Sequence, residues 1–215
     1  MYPFWPIWNA QGRSARFPSV KLVSITAGAA QPSSSRRLGD LLAQSTRAAL
    51  ADRGCSADVE HVELHTLAGD LATALTQRQV SDALGQAQEA VLSADGVIAV
   101  TPVYNGSYSG LFKLFFDALD PRALIGRPML LGATGGSPRH SLMVEHAMLP
   151  LFSFLKADVS PLAVFAATAD WVDTAELDFR IARAADAFAL RMTQARPLKE
   201  LPEAAVPSYD DLLHG

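Results

Sequence analysis

Apolar positions along the chain alternate between two periods. Val20–Thr26 is a short β-branched run and predicts a strand. Ser34–Arg53 has helical spacing, with Leu38, Leu42, Ser45 and Ala49 on one face, Leu41 and Ala48 beside them, and Gly54 as the stop. Ala57–Leu64 predicts a second strand, residues 65–79 a polar connection, and Val80–Ala94 a helix carrying Val80, Leu84, Ala87 and Val91 on one side. Gly96–Val100 is a buried strand, 111–119 a very apolar helix and Pro128–Ala133 a fourth strand. Ser141–Lys156 is helical by period, although Pro150 lacks a donor and should kink or split it. Val159–Ala167 is a fifth strand and Ala175–Thr193 a last helix, with Leu177, Ile181, Ala184 and Phe188 aligned. Five strand–helix units predict an α/β fold, a parallel sheet covered on both faces. Residues 19–195 form its domain, flanked by an N-terminal arm (1–18) and an extended, Pro- and acid-rich C-terminal tail (196–215).

Such a sheet binds ligands at the carboxyl ends of its strands, near the reversal of strand order. The loops after strands one, three and four therefore carry the expected chemistry. The first, Thr26–Arg37, is small at Gly28, then brings Ser33, Ser34, Ser35, Arg36 and Arg37 to a helix N-terminus. Free N–H groups, hydroxyls and cations there suit a phosphate. A serine cap alone needs no ligand, but three serines and two arginines exceed what a cap uses. Neither Gly-x-Gly-x-x-Gly nor Gly-x-x-x-x-Gly-Lys-Ser/Thr is present, which favours a monophosphate.

The second loop, Thr101–Gly110, joins a core strand to a core helix without one charged residue. Pro102 fixes its backbone, Asn105-Gly106 makes a tight turn and Ser109 can cap the helix. Its exposed backbone groups can meet the edge of a flat heteroaromatic ring, with Tyr104 and Tyr108 offering apolar faces; the alternative is that the tyrosines cover the core edge. The third loop, Gly132–His140, places Gly135-Gly136 between Thr134 and Ser137 and permits close backbone approach. Alone it is a generic strand–helix connection. Together the three loops suit one elongated ligand, phosphate at the first and ring between the other two.

Composition narrows the field. Of 215 residues, 49% are hydrophobic and 19% charged, enough for a substantial core. The net charge of −4 argues against nucleic acid. One cysteine, Cys55, excludes an internal disulfide framework and fits a reducing cytoplasm. Met1–Trp8 is apolar but broken by two prolines and lacks the basic start of a signal peptide, and no later run has the length of a membrane span. His61 and His65 end a strand and suit a surface pair better than a metal site. Arg139 and His140 could touch a nucleotide phosphate, though capping and solvation explain them as well. No Gly-x-Ser-x-Gly elbow supports a serine hydrolase.

Ala-Gly-x-x-Gln-Pro-Ser-Ser-Ser-Arg, Thr-Pro-Val-Tyr-Asn-Gly-Ser-Tyr-Ser-Gly-Leu-Phe-Lys and Ala-Thr-Gly-Gly-Ser-Pro-Arg-His-Ser resemble the NAD(P)H-dependent FMN reductases with a flavodoxin-like fold, closest to the branch partnered with luciferase-like monooxygenases. The resemblance runs from about Val20 to about Thr193, and its middle motif is the specific one. It implies a three-layer sandwich with a five-stranded parallel sheet ordered 2-1-3-4-5. It further implies FMN, with phosphate at Ser33, Ser35 and Arg36 near Gly28, ribityl chain and ring at Pro102, Val103, Tyr104, Asn105 and Gly106, and the ring's polar edge at Thr134, Gly135, Gly136 and Ser137. Ala29 and Ala30 stand where related loops often carry serine or arginine. The expected activity is hydride transfer from NADPH or NADH to the flavin, with no metal and no catalytic side chain, since position and electrostatics suffice. Reduced FMN would serve a partner monooxygenase. Rivals are a quinone, azo or metal-ion reductase with bound FMN, a flavodoxin-like electron carrier, and a nucleotide-binding regulatory module. The apolar helix 111–119, polar only at Lys113, Asp117 and Asp120, predicts burial on two sides, either against a partner in a homodimer or tetramer or under the chain's own tail or arm.

Overall fold

A computed structural model describes residues 19–195; the expected arm (1–18) and tail (196–215) lie outside them. All eight residues of β1 (Ser19–Thr26) pair in parallel with β2 (Ser56–Glu63) on one side, and Leu22 to Thr26 pair in parallel with β3 (Gly96–Tyr104) on the other. β5 (Pro128–Gly135) continues the sheet beside β3. The fifth expected strand arrives as two short pieces, β6 (Asp158–Val159) and β7 (Val164–Ala167), both parallel to β5. Pro161 falls in the gap between them, where a ladder donor would be missing. The parallel order is thus 2-1-3-4-5 with its last position divided.

Alternation along the strands separates two cores. Val23, Ile25, Val97, Ala99, Met129 and Leu131 face one side; Leu22, Ile98, Val100 and Leu130 face the other. The second side is covered by α1 (Ser34–Asp52) and α6 (Ala175–Gln194), through Leu38, Leu42, Ile181 and Phe188. α1 lies unusually close to the sheet: a Cβ on Gly39 would stand 2.7 Å from Thr26 Cγ2. The first side holds α2 (Ala68–Gln77), α3 (Asp82–Ser93), α4 (Gly110–Asp117) and α5 (Leu149–Phe154).

α2 corrects the expectation of a plain polar connection over 65–79. It buries a single residue, Leu71, so its apolar stripe is too thin to register as a period. Its position bears on the burial expected for the apolar helix. α4 packs under α2 and against α5, with Phe112 and Phe116 meeting Phe152 edge-on at 5.9 and 4.9 Å between ring centroids. Among the described residues, α2 and α5 cover part of the second side of α4, while Leu111 and Leu114 stay half-buried. Before Pro150 the expected helix opens into a π-helical turn, Val144–Met148, in which Leu149 N–H donates to Val144. The wider turn accommodates the ring of Pro150, which would crowd a regular preceding turn.

Candidate functional site

Three segments reach the same sheet edge because β1, β3 and β5 are neighbours and parallel. The first loop turns at Gly28, which is buried because Ser33 folds back over it. A Cβ there would lie 2.1 Å from Ser33 Oγ and 3.1 Å from Ser35 Cβ. Ser33 is the N-cap of α1, its Oγ accepting from Arg36 N–H at 3.1 Å. The first turn of α1 holds no acidic residue, so its dipole and free N–H groups face the cleft without a competing carboxylate.

The second loop is a hairpin. β3 continues past the sheet to Tyr104 and turns back as β4 (Ser107–Tyr108), pairing Val103 with Tyr108 and Tyr104 with Ser107. Asn105 (φ 51°) and Gly106 (φ 80°) form its two-residue tip, as a type I′ turn requires. The buried Thr101 hydroxyl donates to Pro102 C=O and accepts from Ser109 N–H, each at 3.0 Å. Ser109 in turn caps α4 through Phe112 N–H. Tyr108 packs on Phe112, whereas Tyr104 is 51% exposed. One tyrosine therefore belongs to the core and the other to the site.

The third loop meets the first directly. Ser35 and Thr134, 99 residues apart and both buried, share a hydroxyl–hydroxyl bond of 2.8 Å. Ser35→Ala would strand the Thr134 hydroxyl in a buried site and is expected to cost about 1–3 kcal/mol. Urea denaturation of S35A, T134V and the double variant checks this; strictly additive losses would show that the bond is not coupled.

The resulting cleft measures about 230 Å³ and is lined by Gly28, Ser33, Ser35, Pro102, Val103, Tyr104, Thr134, Gly135 and Gly136 among the expected residues. Ala29, Ala30, Pro32 and Ser34 also line it. Asn105 and Gly106 stand beyond the lining, at the hairpin tip. Ser137 stands beyond it too, capping the short turn Pro138–His140 through Arg139 N–H. Arg36 is not among the lining residues; it is bonded to Asp40 at 2.7 Å and Glu63 at 2.5 Å.

Three lining residues were missed by reading only three loops: Ala166, Thr168 and Trp171. They belong to the carboxyl end of β7 and the turn that follows it, Thr168–Trp171. Asp170 secures that turn by accepting from Ala167 N–H at 2.7 Å and pairing with Arg180 at 3.0 Å. The missed signal was positional, since the fifth strand ends at the same edge as the others.

Donors converge at one end of the cleft: the Ser33–Ser35 hydroxyls and the start of α1. At the other end the lining from Pro102 to Tyr104 is uncharged. No carboxylate lines the cleft among the described residues. That set fits a phosphate joined to a neutral planar ring, and FMN is such a molecule. No group of His, Cys, Asp and Glu side chains suited to a metal occurs among the described residues.

Comparisons with known proteins agree. An NADH-dependent FMN reductase, SfnF, of Pseudomonas fluorescens (strain Pf0-1) is 38% identical over 189 residues, 85% of this chain and 97% of the relative. An FMN reductase (NADPH) of Pseudomonas aeruginosa is 38% identical over 153 residues, 70% of this chain and 78% of the relative. Among solved structures, an oxidoreductase from Corynebacterium diphtheriae matches with a TM-score of 0.80 at 42% identity, covering 83% of this chain and 99% of that one. An NADH:FMN oxidoreductase (EMOB) in its apo form matches at 0.68 with 27% identity, over 85% and 92% of the two chains. The model of the family described as NADPH-dependent FMN reductase matches residues 20–172, every one of the cleft's segments included, and the chain belongs to that family.

Proposed function

We propose that the chain oxidises NAD(P)H with FMN held in the Gly28–Trp171 cleft, and that the reduced flavin is released to a partner monooxygenase. The observation that carries this reading is the polarity of the cleft, with hydroxyls and a helix start at one end and an uncharged wall at the other. When bound, FMN supplies the two-electron acceptor for the nicotinamide's hydride. The residues then have positional tasks. Ser33, Ser34 and Ser35 with the first N–H groups of α1 hold the phosphate. Pro102 to Tyr104 flank the ring, and Thr134 to Gly136 approach its polar edge with little side-chain bulk. No side chain needs to donate or accept a proton in the transfer; orientation of two stacked rings is the main contribution asked of the protein.

Release to a partner is favoured by the exposure of Tyr104 and Gly136, which leaves one side of the cleft accessible. We place the activity in the cytoplasm, where reduced nicotinamide is available; no helix among the described residues is long and apolar enough to cross a membrane. A homodimer or tetramer remains part of this reading, with the half-buried Leu111 and Leu114 of α4 as its candidate contact.

The expected result is a shifted visible spectrum on adding FMN to the purified protein. Oxidation of NADPH or NADH should also rise with free FMN well beyond the enzyme concentration. Flavin that stays bound through gel filtration, with a rate indifferent to added FMN, would instead make it a fixed cofactor serving another acceptor, such as a quinone or azo compound. Absence of any spectral shift would end the flavin reading altogether.

A further inference from the structure

The two adjacent arginines of α1 have different surroundings. Arg36 is half-buried and its charge is answered by Asp40 and Glu63. Arg37 is exposed and enters no ion pair among the described residues. Its guanidinium carbon lies 4.5 Å from the centroid of the Trp171 ring, and Trp171 lines the cleft together with Ser33, Ser34 and Ser35. Pro32 and Ser33 border both the cleft and an adjoining depression lined by Arg36, Arg37, Asp40 and Glu63; of the two arginines only Arg37 reaches the Trp171 ring. A guanidinium outside any ion pair among the described residues therefore stands next to the donor end of the cleft, held against an aromatic ring that itself lines the cleft.

From this placement we propose that Arg37, rather than Arg36, is the cation that recognises the terminal phosphomonoester of the flavin, and that Trp171 is its positioning residue. The proposal rests on the flavin reading above. A phosphomonoester carries close to two negative charges at neutral pH, and a planar guanidinium can meet two of its oxygens at once. An exposed cation–π contact is weak by comparison, so Trp171 restrains the guanidinium without competing strongly for it. A fork held over an aromatic face also loses less freedom on binding than a free side chain. Arg36 has no such latitude, because moving it would leave Asp40 and Glu63 unpaired.

Riboflavin, which has the ring and ribityl chain but no phosphate, separates the two ends of the cleft. Titrations of the full chain with FMN and with riboflavin, followed by flavin fluorescence, give the ratio of the two affinities. Arg37→Ala is expected to weaken FMN about tenfold or more while leaving riboflavin within about twofold. Arg37→Lys, with charge but no fork, should recover part of the loss. Trp171→Ala should lower FMN affinity selectively and to a smaller degree. Equal losses for FMN and riboflavin in R37A would overturn the assignment, as would FMN affinity unchanged within about twofold. A selective loss in Arg36→Ala with none in R37A would return the role to Arg36. Wild-type protein that takes up neither flavin would refute the flavin reading itself and this assignment with it, a failure visible before any variant is made.

Discussion

Gly28→Val is expected to lower FMN-dependent NAD(P)H oxidation on the order of a hundredfold while leaving a folded protein. The reason is local and steric. The first branch atom at this position would lie 2.1 Å from Ser33 Oγ, well inside contact distance, and Ser35 Cβ closes the other direction at 3.1 Å. Ser33 can yield only by leaving its cap on Arg36 N–H, and a lost cap costs about 1 kcal/mol of stability. That penalty is tolerable for the fold. It is serious for the cleft, because Ser33 and its neighbours form the donor end, and a displacement of about an ångström there would spoil the proposed seat for a phosphate. Steady-state rates beside thermal denaturation distinguish the two effects. A variant that keeps wild-type turnover would show that the first loop does not hold the ligand.

Phe112→Ala is expected to be the most destabilising single truncation, by about 3–5 kcal/mol. Phe112 is fully buried and is the hub of a ring cluster: Tyr108 at 5.7 Å, Phe116 at 4.8 Å and Phe152 at 5.9 Å. Domains of this kind have only about 5–15 kcal/mol in all, so the variant should unfold at much lower urea. Phe112→Leu, which fills most of the space, should recover much of the loss. The same residue links core to site, since its N–H is capped by Ser109 and Tyr108 belongs to the hairpin. Denaturant midpoints with an unchanged slope would attribute the effect to packing alone. A loss under about 1 kcal/mol would show that the cluster relaxes around the hole.

The parallel sheet was legible because its signals are local. Each of the first four strands is a short apolar run beside a helix with a clear stripe, and Pro102, Asn105 and Gly106 announce their turn through backbone restrictions that hold in any context. Ser109 and Ser33 proved to be caps for the same reason. α2 was not legible, because one buried leucine among Asp70, Thr73, Thr76 and Gln77 carries no period. The divided fifth strand was blurred by its continuous apolar composition, in which Pro161 was the only warning. What no local pattern contains is partner choice between distant segments. Arg36 finds Glu63 across 27 residues, Ser35 finds Thr134 across 99, and Arg37 finds Trp171. These pairings decide which side chains of a suggestive loop are free to face the cleft, so a cleft at this sheet edge could be expected from sequence while its side-chain pairings could not.

The hairpin after β3 has a mechanical consequence. Its first arm is the uninterrupted end of the central strand, which pairs with β1 up to Val100 and with β5 up to Pro102 and is buried as far as Pro102. Displacing that wall would mean peeling the middle of the sheet, so it stays fixed while a guest enters or leaves. Any adjustment to cargo must fall on the opposite bank, where the serine loop and the tryptophan turn are held by a few side-chain bonds. A jaw anchored in the sheet thus faces one fastened by side-chain bonds, and exchange of a guest is expected to follow the latter.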